Sequence, residues 1–235
     1  MSRNTPHTES HTTTQQASIN RQQPAAVPFA GLVLAGGQST RMGLQNKALV
    51  EYDGQPLLQY SLQKGLACAS TTLISTGPHI YKHPFLASYV HLPDNGTQGP
   101  LAGIHQGLLW LAEQLHLEWL AVIPCDTPWV PSDWAGQLLN AGRISVNPDR
   151  PNASSYATQA LYVVHHNRHH YAHSLWHKNS LHTVQQALQS RQRALKQVLQ
   201  KLNTQAIDLT DHYPKDSFTN INTLDTLKAC YKNKV

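Results

Sequence analysis

The sequence predicts an α/β fold built on a doubly wound, mainly parallel sheet. Three observations predict it: strand-length segments that are apolar at nearly every position, helical patterns lying between them, and a length of 235 residues, enough to bury one substantial core. A strand covered on both faces needs no polar alternate positions, and residues 29–34 (FAGLVL) read as the first of that kind. Residues 55–69 read as a helix, 72–75 as a second strand and 89–92 as a third. The next helix, 101–115, has apolar positions at Leu101, Ile104, Leu108, Leu109 and Leu115, and residues 119–123 (WLAVI) give a fourth strand that runs into Pro124. After Trp134 the pattern loosens into a strand at 159–164, helices at 166–189 and 193–202, and a short strand at 206–209. The stretch from Phe218 reads as a strand or turn feeding a last helix with Thr223 as its N-cap. Residues 1–27, rich in Thr, Gln, Ser and Asn, offer almost nothing to bury and predict a disordered polar tail ahead of a single domain over 28–235.

Charge and cysteine usage exclude several function classes. Lys and Arg outnumber Asp and Glu by 18 to 13, a formal charge of +5; Arg3, Arg21 and Glu9 put +1 of this on the tail. The remaining surplus suits a phosphate-bearing ligand but is too dilute for a sequence-blind nucleic-acid binder, so no nucleic-acid partner is expected. Cys68, Cys125 and Cys230 form no CxxC pair, which argues against a disulfide framework and a thiolate zinc site and for a reducing, cytoplasmic setting. No run of about 18 to 20 apolar residues is present to span a membrane, so no membrane association is expected.

The first strand runs directly into Leu34-Ala35-Gly36-Gly37-Gln38-Ser39-Thr40-Arg41-Met42-Gly43, with Lys47 four residues on. A loop at that place lies on the carboxyl edge of the sheet, where ligands of such folds bind. Adjacent glycines let main-chain N–H groups close around an anion, Arg41 can fork onto phosphate oxygens, and Lys47 can add a point charge. The loop is neither the Walker pattern nor GxGxxG. Asp126 follows the fourth apolar strand and should project at the same edge, where a carboxylate between two prolines either caps a turn or, beside a phosphate-bearing ligand, holds Mg²⁺.

LAGGQSTRMG followed by Lys47 resembles the signature of the nucleotidyltransferases that include the molybdenum cofactor guanylyltransferases. Gly99-Pro100-Leu101-Ala102-Gly103, Pro124-Cys125-Asp126-Thr127-Pro128 and Phe218-Thr219-Asn220-Ile221-Asn222-Thr223 agree with it in order and spacing. The resemblance implies the Rossmann-like nucleotide-diphospho-sugar transferase fold, with a nucleotide-binding half over about 28–135 and an acceptor-binding half over about 136–235. It implies transfer of GMP from Mg²⁺-bound GTP to molybdenum-molybdopterin, with release of pyrophosphate. Leu34, Ala35, Gly36, Lys47, Asp94 and Asp126 would then meet GTP, with Arg41, Lys47 and Asp126 catalytic and Asp126 on the metal. Asn220 and Asn222 would face the acceptor. Transient contacts with molybdenum-insertion proteins and molybdoenzyme chaperones, and a monomeric state, complete the expectation.

Departures from the family pattern bear on the acceptor side. Relatives often carry Asn where this chain has Ser75, and a His-Pro or Gln-Pro step where it has Thr158-Gln159. Arg191 and Arg193 are candidates for the acceptor's phosphate. His169, His173 and His177 recur every four residues and predict a His-rich helix, solvated or, less in keeping with the absence of acidic neighbours, holding a transition metal. Within the class, the rival is a cytidylyltransferase acting on the same pterin or a nucleotidyltransferase acting on a sugar phosphate; for CTP-selective relatives Leu-Ala-Ala-Gly would be expected in place of Leu34-Ala35-Gly36-Gly37. Outside it, the rival is a nucleotide-sensing or cofactor-carrier protein, against which intact Lys47 and Asp126 count.

Overall fold

The computed structural model describes residues 27–36, 47–77, 83–93, 99–144 and 158–221. Among the described residues nine strands and five helices follow in order: β1 (Phe29–Leu34), β2 (Glu51–Tyr52), β3 (Gln55–Pro56), α1 (Leu57–Tyr60), β4 (Thr71–Ser75), β5 (Val90–Leu92), α2 (Pro100–Ala112) and β6 (Trp119–Pro124). After them come α3 (Trp134–Ala141), β7 (Ala160–His165), β8 (Arg168–His177), α4 (Leu181–Gln189), α5 (Leu195–Leu199) and β9 (Thr204–Asp208). Seven of these strands form one sheet in the order β5-β4-β1-β6-β8-β7-β9. β8 runs antiparallel to both neighbours, and the other described pairings in that sheet are parallel.

Alternation along buried strands gives the sheet two cores. Phe29, Val33, Ile74, Ala121, Ile123, Val163 and Leu175 face Leu58, Trp134 and Leu138, with Phe218 closing that layer. Ala30, Leu32, Leu73, Leu120, Val122 and Trp176 face the opposite layer, where Ile104 and Leu108 of α2, Val184 of α4 and Val198 of α5 pack. Strands covered in this way must be apolar at successive positions, as FAGLVL and WLAVI are.

Several elements differ from the expected ones. The predicted helix at 55–69 begins instead as a hairpin, β2 paired with β3 through Asp53 (φ 51°) and Gly54 (φ 74°), a two-residue turn that needs positive φ at both positions. α1 then continues through a wide π turn over Ser61–Gly65. α3 is an addition to the expected elements, although Trp134 and Leu138, and Ala135 and Leu139, carry the spacing of four.

The His-rich helix is a strand. His166 (φ 47°) and Asn167 (φ 59°) turn β7 into β8, so the histidines at 168–177 lie on a hairpin arm and only 181–189 of the predicted segment is α-helical. The predicted helix at 193–202 shortens to α5. No helix among the described residues is long and apolar enough to cross a membrane. Residues 1–26 of the predicted tail and the last helix lie outside the described residues, while Val27, the last residue of that tail, packs against the core.

Candidate active site

The parallel strands β1, β4 and β6 deliver three loops to one edge of the sheet. Ala35 N–H donates to Ser75 O at 2.8 Å and Cys125 N–H donates to Leu34 O at 3.1 Å, so the ladder is prolonged past the strand ends. Gly36 sits where a Cβ would come within 2.5 Å of the Gly77 amide nitrogen, so only glycine lets the two loops cross this closely. At Gly103, on the first turn of α2, an added Cβ would collide with Ser75 Oγ and Leu34. The helix therefore rests directly on the ends of β1 and β4. Ser75 itself is buried, 2% exposed, beneath that contact.

Asp126 is the centre of the arrangement. Its Oδ2 accepts from Lys47 Nζ at 2.5 Å and its Oδ1 from Asn220 Nδ2 at 2.8 Å. Its main-chain oxygen accepts from Ile221 N–H at 2.8 Å. Three segments far apart in sequence, Lys47 after the glycine loop, Asp126 after β6 and Asn220 in the chain's last described stretch, thus meet at one carboxylate. An ionised carboxylate offers about four lone-pair sites, so these two donors leave capacity for a cation. That fits Mg²⁺, which takes one or two carboxylates and otherwise phosphate oxygens and water. Among the described residues no group of three or more His, Cys, Asp or Glu side chains converges as a cage. Cys125, beside it, is buried; burial pushes its thiol up to about 12, with the Asp126 charge adding to the effect, so it stays protonated.

The turn carrying Asp126 is braced from β8. Thr127 Oγ1 donates to Pro124 O at 3.2 Å and lies 3.1 Å from His173 Nε2. Since the hydroxyl proton is used on Pro124, the oxygen accepts and His173 donates from Nε2. His173 is buried against Trp134 and Phe218, and burial, with His170 adding to it, holds its pKa down at about 3. Sequence reasoning missed this residue's part, because the spacing of four suggested a helix and a shared face. In the strand, His169 is exposed and stacked on Tyr171, whereas His177 is buried against Trp119 at 5.0 Å and lies 3.9 Å from Glu118.

The remaining candidates separate. Leu34, Ala35 and Gly36 sit at the carboxyl edge with Lys47, Asp126 and Asn220. Thr158 and Gln159 lie at the opposite edge, before β7, where Thr158 Oγ1 accepts from Gln205 Nε2 at 2.7 Å and Gln159 Oε1 from Asn203 N–H at 3.2 Å. Arg191 and Arg193 are exposed in the turn between α4 and α5. Arg41, Asp94 and Asn222 lie outside the described residues.

"Probable molybdenum cofactor guanylyltransferase" of Nostoc sp. is 44% identical over 115 residues, 47% of this chain and 53% of that protein. Molybdenum cofactor guanylyltransferase of Yersinia pseudotuberculosis is 36% identical over 115 residues, 47% of this chain and 55% of that protein. The chain thus spans about half the length of the curated relatives it matches. In fold it is similar to molybdopterin-guanine dinucleotide biosynthesis protein A from Archaeoglobus fulgidus, with a TM-score of 0.67 at 22% identity over 88% of this chain and all of that one. The family model described as MobA-like NTP transferase domain matches residues 31–206, a span that takes in the glycine loop, Lys47, Asp126 and both arms of the histidine-bearing hairpin, and the chain belongs to that family.

Proposed function

We propose that the protein transfers GMP from GTP to the terminal phosphate of molybdenum-molybdopterin, giving the guanine dinucleotide and pyrophosphate. The observation that carries this reading is the meeting of Lys47, Asp126 and Asn220 at the carboxyl edge of a sheet whose first strand ends in the glycine loop. In the reaction an oxygen of the acceptor phosphate attacks the α-phosphorus, and the bond from that phosphorus to the bridging oxygen breaks as pyrophosphate leaves. The nucleophile is already an anion, so no side chain has to remove a proton. What remains for the protein is to hold two repelling anions in line and to neutralise charge in the transition state.

Leu34, Ala35 and Gly36 present main chain under the nucleotide, and Lys47 and Arg41 supply positive charge to its phosphates. Asp126 would hold Mg²⁺, whose chemistry is to neutralise the triphosphate and the departing pyrophosphate. Asp94 contacts the nucleotide, while Asn220 and Asn222 border the acceptor. The proposal includes a monomer in the cytoplasm that hands its product on through transient contacts with molybdenum-insertion proteins and molybdoenzyme chaperones.

Thermal unfolding in Mg²⁺ with GTP, CTP, ATP or UTP tests the nucleotide. GTP is expected to raise the melting temperature most, in proportion to its tighter binding of the folded state. Stabilisation by CTP without stabilisation by GTP would overturn the guanylyl reading.

A further inference from the structure

β8 does not follow β6 along its whole length. The two pair only over Trp119–Val122 with Ser174–His177, and the ladder from β7 jumps from Tyr162 opposite Ser174 to Val163 opposite His170. Residues 171–173 are left out of the ladder, and the sheet opens beside the end of β6. The opening is a cavity of about 380 Å³ whose walls include His169, His170, Tyr171, His173, Phe218 and Asn220. That volume falls within the range of about 300–1,000 Å³ usual for small-molecule sites.

Its lining is aromatic yet polar. His169 and Tyr171 stack at 5.6 Å with their planes 10° apart. His170 and His173 stand 5.6 and 5.3 Å from the Phe218 ring. Burial, together with Arg168 and the neighbouring imidazoles, holds the His170 pKa down at about 4, so at neutral pH its ring has one N–H donor and one nitrogen acceptor. One wall residue, Asn220, is also a partner of Asp126.

We infer that His169 and Tyr171 on one face of β8 and His170 on the other, the two lips of this opening, read the ring system of the acceptor, a fused heterocycle whose planar end carries an aminopyrimidinone edge. The inference rests on the reading of the protein as a nucleotidyltransferase acting on molybdopterin. The flat faces of His169 and Tyr171 give the ring a stacking partner, and a neutral imidazole at His170 exchanges hydrogen bonds with a neutral donor–acceptor edge, which a lysine or arginine cannot do. Asn220 sets the direction: the end of the cavity at its amide lies next to the carboxylate, so the acceptor's phosphate points there and its ring lies along the histidines.

Guanine carries the same aminopyrimidinone edge as a pterin, so the two sources must be told apart. Titration with a free pterin bearing no phosphate, 6-hydroxymethylpterin, followed by its own fluorescence with and without saturating Mg²⁺ and GTP, does this. Binding that persists in the presence of GTP is expected. His170→Leu should weaken it by about tenfold, the loss of one good hydrogen bond, and His170→Asn should restore most of it. Tyr171→Leu should weaken it as well, while GTP still raises the melting temperature of all three variants as it does that of the parent. Equal pterin affinity in parent and variants, displacement of the pterin by GTP, or no pterin binding by the parent would each overturn the inference. Failure of GTP to stabilise the parent, with pterin binding still lost in His170→Leu, would overturn the guanylyl reading and support the ring site.

Discussion

Asp126 commits one oxygen to an ammonium and the other to an amide, and its peptide oxygen to the chain three strands later in sequence. The side chain and the main chain are therefore separable. Asp126→Asn keeps the main-chain bond from Ile221 and almost the same volume, but removes the charge that faces Lys47. We expect nucleotidyl transfer to fall by about a hundredfold or more, the scale on which single charge-stabilising groups act in such sites, with cooperative unfolding in urea retained. Turnover within about threefold of the parent, measured as pyrophosphate release, would remove Asp126 from the mechanism. The same separation explains why this residue is legible in the sequence. A carboxylate after a wholly apolar strand has only the carboxyl edge to occupy, whereas Asn220 has to be inferred from resemblance, because nothing local tells an amide in FTN that its partner is 94 residues away.

At the scale of the element, β8 is where the sequence misleads. Continuous apolar runs of strand length make β1 and β6 readable, since a strand covered on both faces is apolar at successive positions. RHHYAHSLWH offers histidine at a spacing of four, which a helix would gather on one face, and its strand character lies in Tyr171, Leu175 and Trp176 instead. The usable signal is the turn before it: Asn167, tolerant of positive φ, between two short β-like stretches. Asp53-Gly54 carries the same signal for the β2–β3 hairpin. Burying β8 has an energetic consequence. His173 is neutral in the folded protein down to a pKa of about 3, whereas in the unfolded chain it takes up a proton below about 6.5. The unfolded state thus binds more protons between those values, and stability is full above about pH 6.5 and is lost as pH falls toward 3. The slope for one such group reaches about 1.4 kcal/mol per pH unit. Urea midpoints at successive pH values should decline below pH 6.5, and His173→Gln should flatten the decline; an equally steep decline in that variant would show that other groups carry it.

The whole molecule has a formal charge of +5, and both proposed substrates are polyanions. A net positive field speeds their capture, and salt screens it over a Debye length that shortens from about 30 Å at 0.01 M to about 8 Å at 0.15 M. Stopped-flow association of Mg²⁺-bound GTP should therefore slow across that range, with dissociation changing much less. An association rate indifferent to salt would show that local contacts alone govern capture. The two-sided sheet is predictable as architecture, but its order is not: the register of β8 between β6 and β7 depends on pairings between segments that no local pattern links.

The bond from Ile221 to Asp126 and the amide of Asn220 also set a timetable for biosynthesis. A chain leaving the ribosome can pair β1, β4 and β6 once residue 124 is free, yet the last bonds to the reactive turn wait until about a hundred further residues have been made. At synthesis rates of about 5–20 residues per second, that is a delay of about 5 to 20 s. During it the nascent chain can bury its parallel strands while Asp126 lacks its bonds from Asn220 and Ile221. The arrangement ties completion of the Asp126 turn to synthesis of the last described stretch, so a chain interrupted before residue 220 would pair β1, β4 and β6 without the bonds that finish that turn.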